Sequence, residues 1–234
     1  MNTLAATELM GNDSTRWDLV HQKIHKEHTQ PSRFAVEREK LFRRGSIVCD
    51  LGGGSGSDVL HFLKNGHSVI LLDISSFALQ VAEERARNAK LDQNLVTHMI
   101  DFGLHALPLK DNSIDVAYSR ISLNYFGHRH TAKILQDIYR SLKIGGSAYL
   151  TFKSPADEKE MLRLERSAVV YEEGVYIEAG QLRSRFTIEQ LQHILLNAKI
   201  PNANVEHYEE ELGDSGGAFK QTLYQNEVNF TKVG

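Results

Sequence analysis

Hydrophobic residues change their spacing repeatedly between residues 46 and 153, and this change is the main structural signal in the chain. Short apolar runs there have the length and composition of buried strands, and amphipathic segments separate them. The predicted strands lie at about 46–51, 68–73, 95–100, 114–119 and 147–153. The predicted helices lie at about 56–65, 75–91 and 129–143. Strands that alternate with helices predict a parallel sheet with crossover helices on its faces.

The segment before this alternation has a helical pattern. Trp17, Val20 and Ile24 are spaced to share one face of a helix. A second apolar set follows the Gln30-Pro31 step, where the chain is expected to leave the helical conformation. We therefore predict two short helices between about Ser14 and Arg44.

The segment after the alternation divides into two parts. Residues 154–185 mix charged residues, tyrosines and apolar residues, and fit neither one strand nor one helix. Thr187 then begins a helix that we expect to end near Asn197. Two strands at about 203–212 and 220–231 follow, joined by a turn at Gly213-Asp214-Ser215-Gly216-Gly217.

Glycines fill every second position directly after the first predicted strand. The run is Asp50-Leu51-Gly52-Gly53-Gly54-Ser55-Gly56, and a helix follows. Such a turn uses residues without a Cβ because the backbone takes positive φ and a ligand approaches closely. The helix beyond it offers unpaired N–H groups and the positive end of its dipole. A dinucleotide fingerprint would need a glycine at position 57, where this chain has Ser57, and this argues against a dinucleotide site. A tight turn without a ligand is the remaining alternative.

Two acids end neighbouring predicted strands. Asp73 lies about twenty residues beyond the glycines, where an acid can accept hydrogen bonds from ribose hydroxyls. Its alternative role is a helix cap, which Ser75 and Ser76 can also supply. Asp101 follows the third strand and could instead be an exposed loop residue.

Composition excludes several classes of protein. The 234 residues are 41% hydrophobic and 24% charged, which is typical of a globular protein with a sizeable core. A net charge of -3 argues against a nucleic-acid partner. No apolar run is long enough for a membrane span and no signal-peptide pattern begins the chain, so we expect a cytoplasmic protein without a membrane partner. The single cysteine, Cys49, lies within a predicted strand and favours a buried apolar role.

The pattern D-x-G-x-G-x-G from Asp50 to Gly56 resembles motif I of class I S-adenosylmethionine (SAM)-dependent methyltransferases. The resemblance implies an α/β, Rossmann-like sheet of seven mostly parallel strands in the order 3-2-1-4-5-7-6, flanked by helices. It implies SAM as the cofactor and S-adenosylhomocysteine as the product. The implied cofactor-binding residues are Asp50, Gly52, Gly54, Gly56, Asp73, Ile74, Asp101, Phe102 and Ser119.

The same resemblance divides the chain. Residues 1–45 would form an N-terminal helical lid, and residues 46–234 a SAM-binding domain with a substrate-capping insertion at about 154–185. Arg120 could hold an anionic substrate or the cofactor carboxylate, or it could pair with an acid such as Glu178. The candidate substrate-binding residues are Arg120, Tyr125, Tyr171, Tyr176 and Arg183.

The residues after the fourth strand favour a small-molecule acceptor. Enzymes that methylate amide or exocyclic amino nitrogens commonly carry Asn/Asp-Pro-Pro-Tyr/Phe here, whereas this chain has Ser119-Arg120-Ile121-Ser122. In-line methyl transfer needs alignment and desolvation, and some acceptors also need a base. The candidate catalytic residues are Tyr125, His128 and His105. The acids show no metal-binding cluster, so no metal is expected.

Two other functions remain open at this point. An aminopropyl transferase uses decarboxylated SAM on the same fold, and paired acids at Glu172-Glu173 or Asp157-Glu158 could hold a polyamine. A SAM-binding protein without catalytic activity is the second alternative. The sequence leaves both a monomer and a homodimer possible.

Overall fold

Ten strands in two sheets organise the part of the chain that the structure describes. The computed structural model describes residues 13–26, 29–213 and 220–234. The strands are β1 (Ile47–Leu51), β2 (Ser68–Asp73), β3 (Leu95–Met99), β4 (Ile114–Arg120), β5 (Leu142–Lys153), β6 (Val169–Glu172), β7 (Val175–Glu178), β8 (Gln181–Ser184), β9 (Asn204–Gly213) and β10 (Lys220–Thr231).

The larger sheet has seven strands in the order β3-β2-β1-β4-β5-β10-β9. The first five strands run parallel to one another, and β10 lies antiparallel between β5 and β9. When the strands of this sheet alone are numbered along the chain, β9 and β10 become the sixth and seventh strands, and the order is 3-2-1-4-5-7-6. The predicted α/β architecture and strand order are therefore confirmed, and the carboxyl ends of the parallel strands meet at one edge, where ligands of open α/β sheets bind.

Seven helices accompany the strands in the described residues. They are α1 (Asp13–Ile24), α2 (Arg33–Glu39), α3 (Ser57–Lys64), α4 (Ser76–Asn88), α5 (His128–Ser141), α6 (Glu158–Ser167) and α7 (Ile188–Asn197). The predicted helix at 75–91 is shorter than expected because Lys90 takes a φ of 59°. The strand predicted at 147–153 begins earlier, at Leu142, because α5 passes directly into β5.

The larger sheet is buried on both faces. Alternate residues of β1 point in opposite directions, so Val48 packs with α2, α3 and α4, and Cys49 packs with α5 and α7. Both side chains are fully buried. The predicted buried role of Cys49 is confirmed, and the three layers form the usual environment of a parallel sheet.

The segment at 154–185 is regular, although the sequence predicted no clear element there. Its helix, α6, is capped by Asp157, whose carboxylate accepts the N–H of Glu160 at 3.0 Å. The strands β6, β7 and β8 form a separate antiparallel sheet. Each strand has only four residues, too few to produce a periodic pattern in the sequence.

The two predicted N-terminal helices are present as α1 and α2. Ser32 caps α2 by accepting the N–H of Ala35 at 3.0 Å, directly after the predicted break at Gln30-Pro31. Most of the turn predicted at 213–217 lies outside the described residues. Among the helices that the structure describes, none has the length and apolar composition needed to cross a membrane.

A capping box sets the start of α7 and gives a test of the fold. The Thr187 hydroxyl accepts the N–H of Gln190 at 3.2 Å, and the Gln190 amide oxygen accepts the N–H of Thr187 at 3.0 Å. We expect Thr187→Ala to lower the free energy of unfolding by about 1 kcal/mol. Chemical denaturation measures this change. Thr187→Ser keeps the hydroxyl and should unfold nearly as wild type, and equal losses in both variants would contradict the capping role.

Candidate functional site

A cavity of about 1150 Å³ lies at the carboxyl ends of the parallel strands. Its floor is the glycine loop at 52–56, and the ends of β2 and β4 form its sides. Residues of α1 and the segment before α2 cover it, and the end of β9 closes one side. The cavity therefore joins the predicted cofactor loop to the predicted lid.

The glycine loop keeps its backbone open to the cavity. Gly52, Gly54 and Gly56 take φ angles of 71°, 55° and 78°, which residues with a Cβ rarely adopt. A Cβ on Gly52 would lie 2.3 Å from the Cβ of Ser122, and one on Gly54 would lie 2.7 Å from Cε1 of His21. Gly52 and Gly54 therefore have no room for side chains.

Asp50 places a buried carboxylate behind this loop. The residue is 1% exposed, and neither carboxylate oxygen has a hydrogen-bond partner among the described residues. Burial raises the pKa of Asp50 well above its ordinary value, and the nearby Asp58 and Asp73 raise it further. A buried acceptor without a donor is costly, so this carboxylate is suited to a cationic or N–H-bearing ligand group.

Gly53 is a site residue that sequence analysis missed. A Cβ at this position would lie 2.4 Å from Oδ2 of Asp50 and 2.7 Å from Cδ1 of Leu71. The run of three consecutive glycines was the available signal, but the motif requires only the first and third.

Asp73 connects the end of β2 to the glycine loop. Its Oδ2 accepts the N–H of Gly54 at 2.8 Å, and its Oδ1 accepts the N–H of Ser75 at 2.8 Å. Each oxygen has a second lone pair for ligand hydroxyls. The helix cap is Ser75, whose hydroxyl accepts the N–H of Ala78 at 3.0 Å. The alternative of Asp73 as the helix cap is therefore wrong, and Asp73 and the adjacent Ile74 line the cavity.

Asp101 and Phe102 also line the cavity. The Asp101 carboxylate accepts the N–H of Gly103 at 2.7 Å, which shapes the loop after β3. Phe102 is 8% exposed, and its carbonyl accepts a hydrogen bond from Nε2 of His130 at 2.6 Å. Asp101 therefore offers a hydrogen-bond acceptor to the cavity, and Phe102 beside it forms an apolar wall.

A second acid near the loop, Asp58, holds the start of α2. Its carboxylate accepts the N–H of Ser32 at 2.7 Å, the hydroxyl of Ser32 at 2.8 Å and the hydroxyl of Tyr118 at 2.8 Å. All three residues line the cavity. Burial, then the charge of Asp58, raises the pKa of the Tyr118 phenol well above its ordinary value. Sequence analysis did not single out this network because its members are far apart in the chain.

The helix α1 is attached to the cofactor side of the cavity. Asp18 accepts hydrogen bonds from the Ser75 hydroxyl at 2.6 Å and the Phe77 N–H at 3.1 Å, at the start of α4. Burial opposes ionisation of Asp18, but these hydrogen bonds outweigh it and lower its pKa. One turn further along α1, His21 lies against Gly54.

The same helix also reaches the insertion at 154–185. Arg16 donates a hydrogen bond to the carbonyl of Ala179 at 2.7 Å, in the turn between β7 and β8. Trp17 packs edge-to-face with Tyr125, with ring centroids 5.2 Å apart. Tyr125 and Trp17 both line the cavity. α1 therefore bridges the glycine loop and the insertion.

Arg120 lies in the cavity wall in a buried ion pair. Its Nη2 is 2.6 Å from Oε2 of Glu210, which is 2% exposed. The other oxygen of Glu210 accepts the N–H of Arg33 at 3.0 Å. Burial disfavours the charged guanidinium, but Glu210 outweighs it and raises the pKa of Arg120. The suggested partner Glu178 is wrong, because Glu178 instead pairs with Arg163 and Arg183.

Other predicted site residues have different positions. Ser119 is fully buried and its hydroxyl donates to the carbonyl of Leu51 at 2.9 Å, which joins β4 to β1. Arg183 lies over the ring of Tyr125, 5.2 Å from its centroid. Within the described residues, the cavity lining includes neither these two nor Tyr171 and Tyr176. The structure therefore brings only Arg120 and Tyr125 of the predicted substrate residues to the cavity.

The two predicted catalytic histidines also lie away from the cavity. Nε2 of His128 is 2.8 Å from the carbonyl of Glu173, and its ring packs edge-on against Phe186. His105 is exposed in the loop after β3. In the described part of the chain neither residue contributes to the cavity lining. Both histidines lie near strand ends in the sequence, but this position alone does not show whether a side chain lines the cavity or lies elsewhere in a loop.

Comparisons with known proteins agree with this geometry. Residues 48–146 match the family described as a methyltransferase domain. The ubiquinone/menaquinone biosynthesis C-methyltransferase of Pectobacterium atrosepticum is 32% identical over 127 residues, which cover 53% of this chain and 49% of that protein. The match thus spans about half the length of these curated relatives.

Solved structures share the fold. A SAM-dependent methyltransferase from Methanosarcina mazei has a TM-score of 0.67 and 21% identity, over 83% of this chain and 95% of that chain. The 1,6-didemethyltoxoflavin-N1-methyltransferase of Burkholderia thailandensis, which was solved with S-adenosylhomocysteine, has a TM-score of 0.66 and 13% identity, over 100% of this chain and 92% of that one. Residues 48–146 therefore match a methyltransferase-domain family, and the described fold is shared with solved SAM-dependent methyltransferases.

Proposed function

We propose that this chain binds SAM in the cavity and transfers its methyl group to a small-molecule acceptor. The observation that carries the proposal is the carboxylate of Asp50, which is buried directly behind the glycine loop and has no hydrogen-bond partner among the described residues. The amino-acid end of SAM carries an ammonium group, and an ammonium is the donor that this carboxylate needs. We infer that Asp50 binds that group.

The other residues of the loop region suit the rest of the cofactor. The glycine backbone leaves space for the methionine portion, and Asp73 has free lone pairs for the ribose hydroxyls. Asp101 offers an acceptor for the adenine amino group, with Ile74 and Phe102 as apolar walls. Ser119, in contrast, is assigned a structural role between β4 and β1.

The remaining space suits a second small molecule. A cavity of about 1150 Å³ exceeds the roughly 300–1,000 Å³ of most single-ligand pockets. Away from the glycine loop its lining combines apolar and aromatic side chains with polar ones, including the Arg120–Glu210 ion pair, which favours an acceptor with an apolar or planar body that also carries a polar group. The apolar and aromatic residues of this part are Trp17, Ile24, Ile121, Tyr125, Phe126, Leu212 and Leu223. We propose that residues 1–45 act as the lid and 154–185 as the cap of this site.

The bound cofactor supplies a methyl group on a positively charged sulfur. The chain itself aligns the two ligands and excludes water, which is sufficient for a reactive acceptor. Burial raises the pKa of Tyr125, although Arg183 and Arg185 oppose the shift. The Tyr125 phenol therefore keeps its proton near neutral pH and acts as a hydrogen-bond donor to the acceptor, not as a base. His105 and His128 receive no catalytic role.

Aminopropyl transfer has no support in the comparisons, whose relatives are methyltransferases. Two of the acids considered for a polyamine have other partners. Asp157 caps α6, and Glu172 accepts the N–H of His128 at 2.7 Å. No group of three His, Cys, Asp or Glu side chains that could hold a metal occurs among the described residues. We further propose a cytoplasmic enzyme without a nucleic-acid partner, consistent with the net charge of -3.

Asp73→Asn tests the cofactor site. We expect this variant to bind S-adenosylhomocysteine about 10- to 100-fold more weakly, since a hydrogen bond to a charged group is worth roughly 1.5–3 kcal/mol. Isothermal titration calorimetry measures the affinity. The matched control is Asp111→Asn, an exposed acid far from the cavity, which should bind as wild type. Unchanged affinity in Asp73→Asn would rule out the ribose assignment.

Asp50 should make ligand-free protein less stable as pH rises. Its folded-state pKa is raised, so above the ordinary Asp pKa of about 4 the folded state holds a proton that the unfolded state has lost. The free energy of unfolding therefore falls as pH rises from that value toward the folded pKa. Asp50→Asn removes this ionisation and should flatten the fall in thermal stability, while Asp111→Asn should not. Parallel curves for wild type and Asp50→Asn would contradict the assignment.

Turnover tests the reaction itself. We expect the chain, incubated with methyl-labelled SAM and a metabolite extract, to move the label into a small molecule. Gly53→Ala should reduce that transfer at least about tenfold, because its Cβ would collide with Asp50 and Leu71. Gly234→Ala is the control, since its Cβ meets only ordinary contacts. A parallel incubation with decarboxylated SAM that gives an aminopropylated product and methylthioadenosine would favour the rival reaction, and cofactor bound without any product would indicate a non-catalytic protein.

A further inference from the structure

The segment at 124–126 carries Tyr125 into the cavity, and strand β8 of the insertion holds this segment on both sides of the tyrosine. The N–H of Ser184 donates to the carbonyl of Asn124 at 2.8 Å. The hydroxyl of the same serine donates to the carbonyl of Phe126 at 2.7 Å. Ser184 is 1% exposed, so little water reaches either bond. One residue of the insertion therefore fixes the backbone around Tyr125.

The larger sheet holds the same segment from another direction. Oδ1 of Asn124 accepts the N–H of Lys153, the last residue of β5, at 2.6 Å. Asn124 is buried. Because β8 belongs to the small sheet and β5 to the larger one, the segment at 124–126 is attached to both sheets.

Arg183, which precedes Ser184 on β8, contacts the ring of Tyr125 itself. Its guanidinium carbon lies 5.2 Å from the ring centroid, within the distance at which a cation is attracted to an aromatic face. Nε of Arg183 is 3.5 Å from Oε2 of Glu178 on the adjacent strand β7, which restrains the guanidinium. The Tyr125 ring is therefore contacted by Arg183 from the insertion and by Trp17 from α1.

Arg183 also affects the charge around the phenol. Burial raises the pKa of Tyr125, and Glu160 adds to the rise, whereas the charges of Arg183 and Arg185 and a hydrogen bond from Arg183 lower it. Arg185 is largely neutralised by the Glu160 carboxylate, to which it donates at 2.9 and 2.7 Å. A phenol polarised by a nearby cation is a stronger hydrogen-bond donor. The other charged groups of this region are Arg16, Lys153, Arg163 and Glu178.

We propose that Ser184 and Arg183 position Tyr125 for the methyl acceptor, Ser184 through the backbone on either side and Arg183 through the ring. The inference rests on the proposed function, in which Tyr125 donates a hydrogen bond to the acceptor. Within the described residues, neither Ser184 nor Arg183 lines the cavity. Both residues therefore act on the reaction through Tyr125, and the insertion sets the point at which a polar atom of the acceptor binds.

Titration of the Tyr125 phenol tests the contact with Arg183 without any acceptor. Replacing the tyrosines by 3-fluorotyrosine brings the titration to lower pH and gives fluorine NMR signals, and Tyr125→Phe identifies the signal of Tyr125 by its loss. We expect Arg183→Met to raise the pKa of Tyr125 by about one unit, because a nearby cation stabilises the phenolate. Arg183→Lys keeps the charge and should raise the pKa less. The matched control is Arg87→Met, at an exposed arginine of α4, which should leave the pKa unchanged.

Double variants test whether both residues act through Tyr125. With methyl-labelled SAM and the metabolite extract, Arg183→Met and Tyr125→Phe should each lower the initial rate of label transfer about three- to tenfold. Their double variant should be no slower than Tyr125→Phe alone. Ser184→Ala loses its hydrogen bond to Phe126 and should also slow transfer, and this effect should likewise disappear in the Tyr125→Phe background. Affinity for S-adenosylhomocysteine should stay within about twofold of wild type in every variant, which verifies folding.

Three results would overturn the proposal. The first is an unchanged pKa of Tyr125 in Arg183→Met. The second is a set of double variants in which the single effects multiply, as they would if Arg183 and Ser184 acted independently of Tyr125. The third is a loss of affinity for S-adenosylhomocysteine in Arg183→Met, which would indicate a general structural role. A wild-type chain that transfers no label would contradict the proposed function instead, and the titration would still decide whether Arg183 acts on Tyr125.

Discussion

The structure of the site depends on one unfavourable feature, the burial of Asp50 without a hydrogen-bond donor in the described part of the chain. A carboxylate in that position costs stability, and the neighbouring Asp58 and Asp73 increase the cost. Gly53 leaves the space that the Asp50 oxygens occupy. A buried carboxylate of this kind favours a ligand that carries positive charge. SAM carries such charge at its ammonium and its sulfonium.

The glycine-loop side of the cavity and the insertion at 154–185 are connected by a shared helix. One helix, α1, contacts the start of α4 through Asp18 and the insertion through Arg16. Trp17 lies between these contacts and touches Tyr125 in the cavity. Asp58 and Glu210 hold the start of α2 by accepting N–H groups of Ser32 and Arg33. In the proposed function, the cofactor part and the acceptor part of the cavity are therefore contacted by the same helical segment, which provides a physical route for coupling the two binding events.

Sequence analysis predicted the parts of the structure that local patterns encode. The strands β1 to β5 alternate with helices over enough residues to give clear periodicity, so the fold and the strand order followed from the pattern and the resemblance. Asp50 and Asp73 were identifiable because strand ends and glycine spacing are local signals. Glu210, which pairs with Arg120, was missed since their contact depends on β9 and β4 meeting in three dimensions. His105 and His128 lie outside the cavity lining in the described residues, since nearness to a strand end in the sequence does not determine which side chains reach the cavity. The strands β6 to β8 were too short to be recognised.

The most direct test of the central claim pairs a change in the protein with a change in the ligand. S-Adenosylhomocysteine and its deaminated analogue, which lacks only the amino group, would be titrated into wild type and Asp50→Asn. If Asp50 binds the ammonium, loss of the amino group weakens wild-type binding at least about tenfold and has little effect on the variant. Equal losses in the two proteins, or no loss in wild type, would contradict the account.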